Sequence, residues 1–434
     1  MIRRKNAFYY YFISCPANFK PFFRFFLFKT DAFASENTDV PPPRKSSAHF
    51  SGRKKVAATG SGVLTARRVK KARSVLDFQA NPAIVTCNRF NRSTQSPHTS
   101  ASGPGHREEN TMATQRKPLI THIFTADPSA HVFNDKLYIY PSHDIPHDGE
   151  DNDNGDEYQM EDYHVFRMDN ETADPVDCGL ALSQYDVPWV SSQMWAPDAV
   201  FKNNTYYLVF PARDKDGNFR LGIATSSVPE GPFKPEPECI KGSFSIDPCA
   251  FMDDDGKVYM CFGGLWGGQL EKYRTGKFDP NGTEPPKDEN AVCPKIALMK
   301  DNMLEFAETP RDIVILDENG TPLKAGDEDR RYFEDPWLFK YNGKYYFSYS
   351  TGTTHYIVYA VADNPYGPFT YQGRILEPVL GWTTHHSILE YHGKWYLFYH
   401  DCELSNGINH RRNVKFTELN FDKNGRIITI FPYK

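Results

Sequence analysis

No stretch of this 434-residue chain approaches the roughly 20 consecutive apolar residues that a bilayer-spanning helix needs. The opening MIRRKNAFYYYFISCPANFKPFFRFFLFKT comes nearest, but Lys20 and Arg24 interrupt it, and it makes a poor secretory signal. An excess of one charge is also missing. The net charge is −5, so nothing in the balance points to nucleic acid or an anionic membrane surface as a partner. The eight cysteines (Cys15, Cys87, Cys178, Cys239, Cys249, Cys261, Cys293 and Cys402) form no CxxC pair and no metal-type cluster. A fold of this size needs no disulfide framework, and they read as free thiols. Few windows carry a helical period.

What the chain has instead is recurrence. DPSAHVFNDKLYIYPSHD from Asp127 is echoed by WAPDAVFKNNTYYLVFPARD from Trp195 and DPCAFMDDDGKVYMCFGG from Asp247. EDPWLFKYNGKYYFSYSTG from Glu334 and HHSILEYHGKWYLFYHD from His385 complete the set. Each copy runs through an apolar strand, turns at Asn, Asp or Gly before a Lys or Thr, and returns as an aromatic strand, as a hairpin should. Repetition on this scale is the signature of a propeller or solenoid. Spread over Met112 to Lys434, five copies leave about 65 residues each, enough for a four-stranded blade. SSVPEGPFKPE and ADNPYGPFTYQG are near-duplicate corners where Pro and Gly fix the bend. The expected fold is all-β, a five-bladed β-propeller over 112–434.

Residues 1–111 differ from the rest. After the aromatic start they are rich in Ser, Arg, Lys, Pro and Ala, poor in acids and without a sustained period. That composition suits a transit peptide or a disordered tail, or sequence upstream of a true start at Met112. A start at Met112 would imply a cytoplasmic protein, and the extension an organellar or secreted one.

A propeller brings its innermost strands to a central axis, so the five repeat starts should meet in one pocket. Three carboxylates, Asp127, Asp247 and Glu334, would converge with Trp195 and His385. Two carboxylates facing across a pocket are the minimum apparatus for glycoside hydrolysis: one protonated to assist the leaving oxygen, one ionised to activate water. Environment can push their pKa values apart, and a third carboxylate can help hold and aim the acid. An acid beside proline is often a strand-entry cap, but three at equivalent places in a five-fold repeat are hard to explain that way. Asp335 competes with Glu334. Spacing favours Glu334, which stands 9 residues before Gly343 as Asp247 stands before Gly256.

The motifs TADPSAHVF, QMWAPDAVF, SIDPCAF, YFEDPWLF and GWTTHHSILEYHGKWYLFYHD, spread over 119–434, resemble the family-43 glycoside hydrolases, which are five-bladed propellers. The resemblance implies Asp127 as general base, Glu334 as general acid and Asp247 as the residue that tunes and orients the acid. It also implies inversion at the anomeric carbon, with the two carboxyls about 6.5–9.5 Å apart to admit water. It places His385 and Arg412 near the substrate, with His385 preferred over His386 because Ser387 and Ile388 follow; independently, Trp195 at the second repeat start and Trp266, between the glycines of GGLWGGQ, could wall the pocket against the sugar. Catalysis would need no cofactor. A structural Ca²⁺ stays open, since His385 could support a hydrated cation if water supplied most of its ligands.

The stretch HDGEDNDNGDEYQMED looks at first like a calcium loop, with Glu150, Asn152, Asn154 and Glu161 at ligand positions around Gly155. It lacks the first-position Asp and the flanking helices, so a solvated loop near the pocket mouth is expected.

The implied substrates are plant cell-wall pentosans. The motifs are most similar to those of β-1,4-xylosidases that release terminal xylose from xylo-oligosaccharides or arabinoxylan fragments. α-L-arabinofuranosidase or arabinan-degrading activity is the alternative, and a non-catalytic sugar-binding propeller is the alternative of another class. Sucrose-acting relatives would carry a Trp-Met-Asn-Asp-Pro motif, which is absent. No β-sandwich follows the fifth repeat to help close the pocket, and a homo-oligomer partner could do so instead.

Overall fold

The computed structural model describes residues 117–147, 151–382 and 385–433. The extension 1–111 lies outside the described residues, as do Cys15, Cys87 and Glu150. Secondary structure is almost wholly β, arranged as five blades. The first comprises Phe124–Phe133, Lys136–Asp144, Asp162–Met168 and Val176–Ser183, each antiparallel to the one before. The second is built on Asp198–Lys202, Thr205–Asp214, Phe219–Ser226 and Lys234–Pro235. The third has Cys249–Met252, Val258–Phe262, Lys295–Leu298 and Arg311–Asp312. In the fourth, Glu334–Tyr341, Lys344–Ser350, Ile357–Ala362 and Phe369–Leu376 carry an added parallel strand, Ile315–Leu316. His386–Tyr391, Lys394–Asp401 and Asn413–Leu419 make the fifth.

The apolar faces of neighbouring blades pack on one another, which is where the core sits. Phe210, Leu208 and Tyr140 join blades one and two, while Met260, Phe262 and Val209 join two and three. Ile139, Phe166, Phe398 and Val414 join one and five. A short seam closes the ring. Leu119 N–H donates to the Val414 carbonyl at 2.7 Å, and Thr125 N–H to that of Arg412 at 3.0 Å. Among the described residues no helix is long and apolar enough to cross a membrane.

Four innermost hairpins turn on two residues that both have positive φ: Asn134-Asp135, Asn203-Asn204, Asn342-Gly343 and His392-Gly393. Such turns match the twist of the strands they join. The third blade differs. There Asp253 N–H donates to Lys257 O at 2.9 Å across Asp254-Asp255-Gly256, one residue more. This extra residue corrects the spacing argument for Glu334. Counting back six residues from the residue before each turn, the equivalent axial positions are Asp127, Ala196, Asp247, Asp335 and His385. Trp195 and Glu334 each stand one residue earlier.

Candidate active site

At the axial positions the backbone turns sharply. Asp127, Asp247 and Asp335 have φ of 47°, 56° and 60°, and each precedes a proline. A non-glycine residue in this region is strained by roughly 1–3 kcal/mol, and such strain persists where the surroundings hold it. In the first and fourth blades a register shift falls at the same point, between Ala126 and Ser129 and between Glu334 and Trp337. These kinks turn the carboxylates out of the strand pleat and toward the axis.

There Asp127 and Asp247 open on a cavity of about 330 Å³. Asp127, Asp247, Glu334, Trp195, Trp266, His385 and Arg412 all line it, so every site residue expected from the sequence reaches one pocket. Asp335 does not line it; its side chain is fully buried beneath. Its carboxylate meets His386 Nδ1 in a very short contact, accepts His386 N–H at 2.9 Å and lies 2.9 Å from His385 Nε2. Glu334 is therefore the pocket acid by placement. His386 is buried and bonded to Ser348 Oγ at 2.6 Å, while His385 faces the pocket, as the register of the two histidines suggested.

The four carboxyls do not share one fate. Burial alone would raise Asp127, but the Arg412 guanidinium outweighs it, helped by His385, His400 and a 2.5 Å hydrogen bond from Ser142 Oγ, and Asp127 falls to about 2. Arg412 Nη1 donates to Asp127 Oδ1 at 2.9 Å. Asp144 holds the same guanidinium at Nε (2.9 Å) and Nη2 (2.8 Å) and accepts the Arg412 backbone N–H at 2.8 Å. This fork is buried, so Arg412 is part of the pocket floor and not a surface ion pair. Glu334 moves the other way: enclosure first, then the negative charge of Asp127, raise it to about 8.

Asp247 and Asp335 are also pushed well above the ordinary carboxylate range, by burial first and then by neighbouring acids. Asp247 Oδ2 accepts the Asp335 backbone N–H at 3.0 Å and so fixes the peptide that follows Glu334. His385 is lowered to about 4 by burial, against the pull of Asp127, and is neutral at neutral pH. The floor thus holds one secured anion, Asp127, opposite a Glu334 carboxyl that keeps its proton at neutral pH.

Aromatic walls complete the pocket. Trp195 donates Nε1–H to Tyr158 O at 3.0 Å, and its ring edge fits between Gly155 and Gly267. A Cβ on Gly155 would come within 2.6 Å of that ring, and one on Gly267 within 3.0 Å. Trp266 donates to Glu284 at 2.9 Å and stacks on Trp382 with centroids 5.8 Å apart. Trp382 was not singled out from the sequence, although it sits inside the quoted GWTTHHSI run. Asp144, Ser142 and His400 were missed as well, because no repeat position marks them. The acidic stretch forms part of the pocket lining through Asp151, Asn152 and Asp153, with no flanking helices among the described residues.

A five-bladed propeller whose axial pocket pairs an ionised carboxylate with a protonated one between tryptophan walls defines a class, the propeller glycosidases. Comparison with known proteins narrows it. The model of Glycosyl hydrolases family 43 matches residues 177–427. Xylosidase/arabinosidase 43A of Humicola insolens is 61% identical over 324 residues, covering 73% of this chain and 99% of the relative. A β-xylosidase of Xylanibacter ruminicola is 52% identical over 309 residues, covering 71% and 97%. Among solved structures, a family-43 β-xylosidase/α-arabinofuranosidase from a compost microbial metagenome, in complex with xylotriose in a calcium-free form, superposes with a TM-score of 0.73. It is 57% identical and covers 74% of this chain and 98% of its own. The chain belongs to glycosyl hydrolase family 43.

Proposed function

We propose that the protein removes terminal β-1,4-linked xylose from xylo-oligosaccharides with inversion, Asp127 acting as general base and Glu334 as general acid. The observation that carries this is the opposite protonation of two carboxyls on one pocket: Arg412 keeps Asp127 ionised, and enclosure with Asp127's own charge keeps Glu334 protonated. Asp127 takes a proton from water as that water attacks the anomeric carbon. Glu334 gives its proton to the departing glycosidic oxygen. Asp247 positions the acid through the Asp335 peptide. Trp195 and Trp266 offer apolar faces to the sugar's C–H surface, and His385 and Arg412 border the sugar hydroxyls.

These steps use side chains and water. Beside His385 the donors are one imidazole and carboxylates already engaged, so a calcium ion there would draw most of its ligands from water. The xylose preference is supported by the names of the relatives and by the xylotriose bound in the similar structure. α-L-arabinofuranoside cleavage is the second reading, favoured by the paired names.

Xylobiose, p-nitrophenyl β-D-xylopyranoside and p-nitrophenyl α-L-arabinofuranoside assayed side by side test this. Asp127→Ala should cost about 10²–10⁴-fold on both xylosides. Glu334→Gln should cost that much on xylobiose and far less on the nitrophenyl xyloside, whose leaving group needs little protonation. Dominant arabinofuranoside turnover would move the assignment to the second reading. Equal losses of Glu334→Gln on both xylosides, or retention of the anomeric configuration by proton NMR, would overturn the roles given.

A further inference from the structure

Blade one carries a second group of ligating side chains behind the pocket wall. His143 lies on Lys136–Asp144, and Asp162 and His164 lie on the next strand, Asp162–Met168. One ring nitrogen of each histidine and a carboxylate oxygen of Asp162 lie within 4.8 Å of one another. Strand alternation explains how this arises. Asp162 and His164 are two residues apart and share a face. His143 falls between Ser142 and Asp144, whose side chains reach Asp127 and Arg412, and so points to the opposite side. None of the three lines the pocket.

We propose that His143, Asp162 and His164 form a binding site for a divalent transition metal of the zinc class, separate from the catalytic pocket. Two imidazoles and one carboxylate suit zinc, with water in the fourth position, whereas calcium and magnesium prefer all-oxygen shells. Metal–ligand distances of about 2.0–2.2 Å in a tetrahedron require donor separations of roughly 3.3 Å. His143 Nδ1 and Asp162 Oδ1 stand 2.6 Å apart, and the three ligand atoms all lie within 4.8 Å of one another, so side-chain shifts of roughly 1.5 Å or less complete the site.

An outer partner is already in place. Asp177 Oδ1 lies 3.1 Å from His164 Nδ1, and its other oxygen 2.8 Å from His122 Nε2. A carboxylate on the far nitrogen of a ligating histidine fixes its tautomer and strengthens it as a donor. With Nδ1 held by Asp177, Nε2 is the nitrogen left for the metal. All three ligands are half-buried, with side chains 17%, 25% and 23% exposed, so an ion can enter from solvent.

The test is a Zn²⁺ titration of the full chain in competition with a chromophoric chelator. One ion per chain is expected, with affinity at least about 100-fold weaker in His164→Gln and in Asp162→Asn. Asp177→Asn, which leaves the ligands intact, should weaken it about 10–100-fold. His385→Ala should leave it unchanged, which separates this site from any cation at the propeller axis. His164→Gln should also turn over xyloside at the wild-type rate in zinc-free buffer, a check that the variant is folded. The proposal is overturned if no stoichiometric zinc binds. It is equally overturned if the bound ion is lost in His385→Ala and kept in His164→Gln.

Discussion

Arg412 answers for two carboxylates at once, and its fork geometry matters as much as its charge. Lysine would supply the charge as a single point and could not hold Asp127 and Asp144 together. Arg412→Lys should therefore let Asp127 drift up from about 2, and the acid limb of kcat/KM should rise with it. Arg412→Met should do more, leaving two buried carboxylates unpaired and costing about 3–5 kcal/mol of stability, read by urea unfolding. As the proposed general acid, Glu334 should set the alkaline limb. Raised from 4.5 to about 8, it keeps a proton that the unfolded chain sheds above 4.5. Its stabilising contribution is thus complete below pH 4.5 and is lost as pH climbs through about 8. Activity should fall on that same limb. Glu334→Gln should melt at nearly the wild-type temperature at pH 4.5 and above it at pH 8.5. A wild-type enzyme with no activity limb between pH 7 and 9 would contradict the assignment.

The strands and hairpins show what was readable in advance and what was not. Five copies of strand, turn and aromatic strand marked the blades, because each must satisfy the same pleat and the same tight turn. The axial acids were legible for the same reason: Asp127 and Asp247 occupy equivalent backbone kinks. The position beside Asp335 was harder. An added residue in the Asp253–Lys257 turn shifted the count, and only the fold shows that Asp335, not Glu334, is the counterpart of Asp247. Asp144, Ser142 and His400 act through contacts spanning from 15 to 273 residues of sequence, which no local pattern records. Trp195 illustrates how loops shape the pocket. Gly155 has φ of 71° and touches its ring, so Gly155→Ala combines backbone strain with a clash. KM for xylo-oligosaccharides should rise several-fold while the pH limbs stay in place, since the carboxyls are untouched. A change confined to kcat would argue against Trp195 as a sugar-facing wall.

At the level of the whole molecule, the ring depends on its seam. Ile120 is buried among Leu389, Tyr391, Phe398 and Val414, and Leu119 bonds to Val414 across the junction. A chain beginning at Met112 keeps this seam and should retain full xyloside turnover. One beginning at Phe124 loses the buried Ile120, a term of about 1.5–3 kcal/mol, and its melting temperature should drop by several degrees. Equal melting temperatures would show that the seam adds nothing.

The pairing of Asp127 with Arg412 also sets a clock. These partners are separated by 285 positions, and His400 by 273. A ribosome adding 5–20 residues each second leaves Asp127 without its cation for roughly 15–60 s. Throughout that interval the nascent chain has made the aspartate proposed as its base but not the arginine that holds it ionised, so on that assignment the growing polypeptide cannot act on sugar until its final blade is in hand.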